Sequence, residues 1–245
     1  MRVAVLSDIH ANLRALDAIL AEVGSVDAVW HLGDVVGYGP DPDAVVDRLR
    51  ERSAIGVQGN HDLAAIGGDV IRDFNVDARA AMEWTRRTIA SATRTWLAAL
   101  PIRRAIGSYS LVHGSPRDPT WEYILSESVA AANLAILATP RGLFGHTHLP
   151  VAYVVGDDRL GGDVVDSLTP QPGSSLALDG RRALVNPGSV GQPRDGDPRA
   201  SALVLDVTSH SLTWVRAAYD IEATQRAMRA AKLPPRGIAR LGFGI

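Results

Sequence analysis

The chain has no cysteine among its 245 residues, which excludes disulfides, thiolate metal ligands and a cysteine nucleophile together. Any metal site must therefore use nitrogen and oxygen donors. Lysine is almost as scarce: Lys232 is the only one, and arginine supplies the rest of the basic charge. With a formal net charge of −2 and a pI of about 6.4, no overall positive field recommends duplex nucleic acid or an anionic membrane surface as a main partner. No apolar run approaches the length that spans a bilayer. The opening "MRVAVLSD" meets Ser7 and Asp8 too early for a secretory signal, so a cytoplasmic location is expected. A Gly-Lys-Ser/Thr phosphate loop is also missing, which excludes nucleotide binding of the P-loop kind.

What is present is an ordinary globular composition, 46% hydrophobic and 21% charged, enough for a sizeable core in a single domain spanning 1–245. The start reads strand, helix, strand. "RVAVLS" is a compact aliphatic run, Leu13, Leu16, Ile19, Leu20 and Val23 follow helical spacing up to Gly24, and "VDAVWHLGD" gives the second strand. Asn12 is placed to cap the first helix. Asp41 as N-cap and Pro42 in the first turn open another helix, and "AIGVQGN" supplies a third strand. This opening predicts an α/β fold with parallel strands and right-handed crossovers.

From Ala64 to Leu100 the pattern is helical, with Met82, Ile89, Trp96 and Leu100 on a buried stripe and Pro101 closing it. This segment is a candidate roof over a site. Short strands "YSLVHG" and "GLFGH" follow, separated by a helix ending near Ala138. The remainder reads as an antiparallel meander of "VAYVVG", "SSLALDG", "RALVNPG", "ASALVLDV" and "SLTWVRA", with Asp179-Gly180 as a hairpin turn. Residues 156–173 are rich in Gly, Asp and Pro and read as a mobile loop. The tail at about 221–245 reads as a helix with a solvated basic face and a proline-broken end, in preference to a phosphate- or partner-binding tail.

Polar residues collect where apolar strands stop. Asp8 and His10 follow the first strand as "SDIH", Asp34 ends the second as "LGD", and Asn60, His61 and Asp62 follow the third as "GNHD". His113 follows as "LVHG", and His146 and His148 stand two apart in "GHTH". In extended backbone, residues i and i+2 project from one face, so each closely spaced pair can chelate. Carboxyl ends of strands are where open α/β sheets place their sites. Gly33, Gly59, Gly114 and Gly145 each adjoin one of these groups, as several loops converging on one crowded point require. Imidazole and carboxylate without thiolate suit six-coordinate first-row divalent ions, and there are ligands enough for two. Two such ions about 3.5–4 Å apart can grip the attacking and leaving oxygens of an in-line displacement at phosphorus. They need a shared carboxylate, for which Asp34 is the candidate. His31 and His210 lack such a setting and read as packed or solvated.

In order, "SDIH", "GDVVG", "GNHD", "VHG", "GHTH" and "NPGS" resemble the motif series of the calcineurin-like metallophosphoesterases, over residues 7 to about 189. The "GYGPDP", "VHGSP" and "NPGSVGQPRDGDPRAS" segments resemble the small bacterial predicted-phosphodiesterase branch. The resemblance implies a four-layer αββα sandwich of two mixed β-sheets flanked by helices. It implies one metal on Asp8, His10, Asp34 and His148, and another on Asp34, Asn60, His113 and His146. It implies a metal-bridging hydroxide as nucleophile, His61 as the acid that protonates the leaving oxygen, and Asp62 as its orienting partner. Mn²⁺ is the first choice of ion, with Fe, Zn, Mg or Ni as alternatives.

The expected substrate is a small phosphate ester, foremost a phosphodiester, with a dinucleoside polyphosphate such as diadenosine tetraphosphate or a phosphomonoester as the rival. An inactive binding scaffold of the same fold is the alternative from another class, against which His61 and the full ligand set stand. Asp34 is followed by "VVGYG" and not by the Asp-Arg-Gly run of related protein phosphatases, which counts against a phosphoprotein substrate. Ala11 stands where many relatives have glycine. Tyr38, Arg117, Trp121, Tyr123, Gln192 and Arg194 lie in loops and are candidates to face the substrate, an arginine fork being suited to phosphate oxygens; ordinary loop packing is the competing reading. Oligomeric state is not legible.

Overall fold

The computed structural model describes residues 1–156 and 164–245. The first strand, β1 (Arg2–Leu6), leads through α1 (Leu13–Glu22) to β2 (Ala28–His31) and through α2 (Pro42–Glu51) to β3 (Ile55–Gly56). Three helices follow, α3 (Asn60–Ile66), α4 (Val76–Thr88) and α5 (Ser91–Ala98), with a 3₁₀ turn at Asp69–Asp73 between the first two. Then come β4 (Arg103–Ile106), β5 (Tyr109–Val112), α6 (Glu127–Ile136), β6 (Arg141–Leu143), β7 (Pro150–Val155) and β8 (Val165–Leu168). The chain ends with β9 (Ser175–Ala177), β10 (Ala183–Pro187), β11 (Ala200–Asp206), β12 (Ser211–Ala217), α7 (Ile221–Ala230) and α8 (Pro235–Arg240).

Two six-stranded mixed sheets result, ordered β3-β2-β1-β11-β12-β9 and β4-β5-β6-β10-β7-β8. In the first, β1, β2 and β3 run parallel and β11 joins β1 antiparallel, Val3 opposite Leu205. In the second, β5, β6 and β10 are parallel. The period-2 alternation of each strand sorts its side chains between two cores. Val3, Val5, Trp30, Leu32, Leu203 and Leu205 meet Tyr109, Leu111, Leu143, Ala152 and Val185 between the sheets. Ala4, Leu6 and Ala202 turn outward and pack with Leu16, Ile19, Val45 and Leu49 of α1 and α2. On the far side Phe144, Tyr153 and Leu184 pack with Ala130 and Leu134 of α6. The layers are therefore α, β, β, α. Fully burying one such Leu, Val or Phe side chain contributes about 1.5–3 kcal/mol, so both faces of each sheet are strongly specified.

Asn12 caps α1, its Oδ1 accepting from the Ala15 amide at 3.2 Å. Asp41 sits at the N-cap position of α2 but makes no side-chain cap bond; its carboxylate faces Arg14 at 3.5 Å. Met82, Ile89 and Leu97 of the helical stretch enter the core, while Trp96 and Leu100 are partly buried against it.

The expected meander is corrected in three places. Its strands divide between the sheets, β7, β8 and β10 in one and β9, β11 and β12 in the other. Asp179 and Gly180 do form a turn, with φ of 44° and 82°, but it passes the chain from one sheet to the other instead of closing a hairpin. Of the expected mobile loop, residues 157–163 lie outside the described residues, and Val165–Leu168 pairs with β7 as a strand. Alternation marks two-faced burial and is blind to which sheet a strand joins, hence the error. The third strand is also shorter than expected, since the backbone after Gly56 leaves the ladder to carry "QGNH" to the sheet end.

Candidate metal centre

The loops leaving β1, β2, β3, β5 and β6 meet at the carboxyl end of both sheets, and each delivers a buried polar side chain. Asp8, His10, Asp34, Asn60, His61, His113, His146 and His148 are all at most 4% exposed. The packing that brings them together is tight enough that a Cβ on Gly59 would collide with the Asp34 carboxylate and one on Gly145 with the Ser7 hydroxyl. Eleven non-glycine residues have positive φ among the described residues, and seven of them, Asp8, His10, Ala11, Asp34, Tyr38, His146 and His148, belong to this site or its edge. Left-handed backbone at non-glycine residues costs about 1–3 kcal/mol each and persists only where surrounding structure over-determines it.

The hydrogen bonds explain how these conformations are held. Asp8 Oδ2 accepts from Ser7 Oγ at 2.6 Å and from the His146 amide at 3.1 Å, tying β1 to the "GHTH" loop. Ser189 Oγ donates to the Asp8 carbonyl at 2.8 Å, and Asn186 Nδ2 donates to the Gly145 carbonyl at 2.8 Å and to Thr147 Oγ1 at 3.1 Å. The "NPGS" run thus fastens both ligand loops from outside. Asp62 accepts from the amides of Val35, Val36 and Gly59 at 2.8, 3.1 and 3.0 Å. Among the described hydrogen bonds none joins its carboxylate to the His61 ring; it ties the loop after β2 to the first turn of α3 through backbone amides instead.

The histidine tautomers follow from the same bonds. Nδ1 of His10, His113 and His148 faces the carbonyls of Val36, Leu32 and Gln192 at 3.3, 2.8 and 2.6 Å. A carbonyl accepts only, so each Nδ1 carries the proton and each Nε2 of a neutral ring presents a lone pair inward. His10 Nε2 then lies 3.1 Å from His148 Nε2. His113 Nε2 faces Asn60 Oδ1 at 2.9 Å, His146 Nδ1 at 3.0 Å and Asp34 Oδ2 at 3.3 Å. Asp8 Oδ1, 3.3 Å from His148 Nε2 and 3.9 Å from His10 Nε2, is buried without a hydrogen-bond partner, as is His146 Nε2. Acceptors converging at such distances are stabilised by positive charge and by little else.

Two groups are geometrically distinct: Asp8, His10 and His148 in one, Asp34, His113 and His146 in the other, with ligand atoms within 4.8 Å of one another in each. Asp34 Oδ2 lies 3.8 Å from His10 Nε2 and 3.3 Å from His113 Nε2, between the two. His61 also falls within 4.8 Å of His10 and Asp34, but its Nδ1 is turned to Met82 Sδ at 3.1 Å.

Titration reports the same field. Burial pushes the Asp34 carboxyl up, yet His113 and His61 beside it outweigh burial and hold it far below the usual carboxylate range. Burial pushes His113 down, and Asp34 and Asp8 reverse this and raise it to about 9. Burial holds His146 near about 3, His61 near about 4 and both His10 and His148 well below the ordinary value. Apart from His113, whose inner proton a bound cation would displace, these are neutral rings beside an ionised carboxylate, the protonation states that divalent cations require of their ligands.

The sequence model of the calcineurin-like phosphoesterase superfamily domain matches residues 1–210. The chain belongs to this superfamily. A solved metallophosphoesterase from Sphaerobacter thermophilus is 42% identical, with a TM-score of 0.90 over 100% of this chain and 99% of that one. An uncharacterized protein of Methanocaldococcus jannaschii is 32% identical over 95% of this chain and 93% of its own length. A symmetrical bis(5′-nucleosyl)-tetraphosphatase of Shewanella baltica is 32% identical over 54% of this chain and 50% of its own. Membership makes this calcineurin-like phosphoesterase a phosphoric ester hydrolase and accords with a metal-dependent site.

Over the ligands opens a cavity of about 400 Å³, walled by Tyr38, Phe74, Trp121, Tyr123, Arg194 and Arg240. Tyr123 stacks on His146 at 4.0 Å, and Phe74 lies 4.6 Å from the His61 ring, centroid to centroid. Among the substrate-facing candidates, Tyr38, Trp121, Tyr123 and Arg194 reach this cavity. Arg117 does not: its guanidinium forks onto Glu122 outside the lining, and that pairing holds Glu122 down at about 2. Gln192 acts through its carbonyl on His148. Sequence reasoning missed Phe74 and Arg240. Phe74 lies just after the 3₁₀ turn of the candidate roof, where helical periodicity is interrupted, and Arg240 is remote in sequence, brought in by α7 and α8 packing on Ala81. None of the described helices is long and apolar enough to cross a membrane.

Proposed function

We propose that this phosphoesterase hydrolyses a small phosphodiester by in-line displacement at phosphorus, using two divalent cations, Mn²⁺ foremost. Asp8, His10 and His148 would hold one, Asn60, His113 and His146 the other, and Asp34 would serve both. The observation that carries this reading is the position of Asp34 Oδ2 between two sets of inward imidazole lone pairs. When bound, such a pair supplies Lewis-acid polarisation of phosphoryl oxygens and lowers the pKa of water toward about 7.

The chain's own residues do the rest. Tyr38 and Phe74 both pack against the His61 ring, at 4.5 and 4.6 Å between centroids, and restrict its movement. An acid role needs the imidazolium, which burial disfavours in the free protein; an anionic phosphate oxygen beside the ring favours it. His61 then delivers a proton to the leaving oxygen, a contribution on the order of 10²–10⁴ in rate. Arg194, which bonds Gln192 Oε1 at 3.0 Å and lines the same cavity, offers its fork to a non-bridging oxygen.

A dinucleoside polyphosphate is the second reading. The aromatic wall of Phe74, Trp121 and Tyr123, suited to a stacked base, supports it, as does the half-chain similarity to the Shewanella tetraphosphatase. The test is turnover of bis(p-nitrophenyl) phosphate by chelator-treated protein after addition of Mn²⁺, compared with p-nitrophenyl phosphate and diadenosine tetraphosphate. A preference for the diester is expected. Preference for the monoester would overturn the phosphodiester assignment, and preference for the tetraphosphate would replace it by the second reading.

A further inference from the structure

The basic end of the chain has a place beside the cavity that its sequence did not reveal. Arg240 of α8 lines the metal-site cavity together with Arg194. It also lines an adjoining cavity of about 340 Å³ that shares Tyr38 with the first and adds Arg236 one helical turn away. The Arg194 amide donates to the His148 carbonyl at 3.4 Å, and its charge is felt by Asp8, His10, His61 and His148. Arg240 is felt by Tyr38, and Arg236 lines the outer cavity but not the metal-site one. The three guanidiniums therefore form a row running outward from the ligand cluster.

Several arginines elsewhere in the chain pair with carboxylates, as Arg48 does with Asp17 and Glu51, Arg199 with Asp197 and Arg216 with Asp195. Among the described residues, no side-chain carboxylate lies within 4.0 Å of the guanidinium of Arg194, Arg236 or Arg240. Arg194 Nε is buried without a partner, and Arg240 uses its Nε on the Ile245 main-chain oxygen. Like charges gathered in one place lose free energy unless an anion joins them, and burial together with Arg194 already weighs against the charge on Arg240. Asp73 faces the first cavity and Asp77 the second, so the row accommodates a short run of negative charge and not a long one.

Resting on the phosphoesterase reading above, we infer that Arg240, with Arg194 and Arg236, forms a second anion subsite that selects substrates carrying a further phosphate next to the scissile one. The C-terminal helix is thus a specificity element for a nucleoside or dinucleoside polyphosphate. The test is calorimetric binding of α,β-methylene-ADP and of AMP to the full chain, treated with chelator and reconstituted with Mn²⁺. Bis(p-nitrophenyl) phosphate turnover is followed on the same sample.

The diphosphate analogue should bind at least about fivefold more tightly than AMP, and Arg240→Ala should weaken it about tenfold, the scale of one charge-assisted contact, while moving AMP much less. Arg236→Ala should show a smaller loss of the same kind, Arg240→Lys an intermediate one, and Arg226→Ala, on the exposed face of α7, none. Equal affinity for the two nucleotides, or equal weakening of both by Arg240→Ala and Arg240→Lys, overturns the subsite. A diphosphate preference without diester turnover leaves the subsite standing and removes the phosphodiester reading; turnover without the preference does the reverse.

Discussion

The two sheets bring different chemistry to their common edge. Loops from β1, β2 and β3 carry the carboxylates Asp8 and Asp34, the amide of Asn60 and the imidazoles of His10 and His61, whereas loops from β5 and β6 carry only imidazoles, His113, His146 and His148. Each half alone is a poor ligand set, either charge-rich and donor-poor or neutral throughout. Within bonding reach of one another they hold Asp34 ionised and keep most of the rings neutral. The metal centre is thus a property of sheet-on-sheet packing as much as of any motif.

The largest test of that division is Asp34→Ala. It removes the one group within reach of both ligand sets, and elemental analysis should find both metal positions depleted with activity lowered by about 10³ or more, beyond the usual single acid–base contribution. Two full equivalents of metal in the variant would end the bridging assignment. His61→Ala should retain both metals and lose about 10²–10⁴ in rate on a substrate with a poor leaving group. An activated nitrophenolate needs little protonation and should lose far less; equal losses would remove the acid role.

Asn186→Ala cuts the tie between β10 and the "GHTH" loop and leaves the buried Gly145 carbonyl without that donor. It should cost about 1–3 kcal/mol of unfolding free energy, read from the denaturant midpoint, and weaken metal retention at His146 and His148 more than at Asp34. The smallest effect on activity is expected at His31, a histidine outside the division. Its ring is fully buried against Trp96, both nitrogens lack partners, and burial holds it near about 3 against an ordinary 6.5. The unfolded chain takes up the proton first, so this contribution is complete above pH 6.5 and declines as pH falls toward 3, by at most about 1.4 kcal/mol per pH unit. His31→Leu should flatten that part of the stability profile; an unchanged slope would mean the ring finds a partner on protonation.

What was legible in the sequence follows the same division. The β1–α1–β2–α2 opening shows itself because parallel strands and amphipathic helices have distinct periods, and the ligands sit where each apolar run stops. Apart from β8, which reads as loop, the strands after His148 are visible one by one, yet β9 and β10 look like a hairpin through Asp179-Gly180 and belong to different sheets, a matter of long-range pairing that local pattern does not encode. Arg117 and Arg240 teach the same lesson from side chains. The first stands near a motif and is spent on Glu122, while the second stands far from every motif and reaches the cavity through tertiary packing.

β1 lies between β2 and β11, and its partner residues 203–206 follow it by about 200 residues. During synthesis β1 keeps one hydrogen-bonding edge bare until β11 has emerged. A product truncated before β11 would carry every candidate ligand yet lack the strand that covers the free edge of β1.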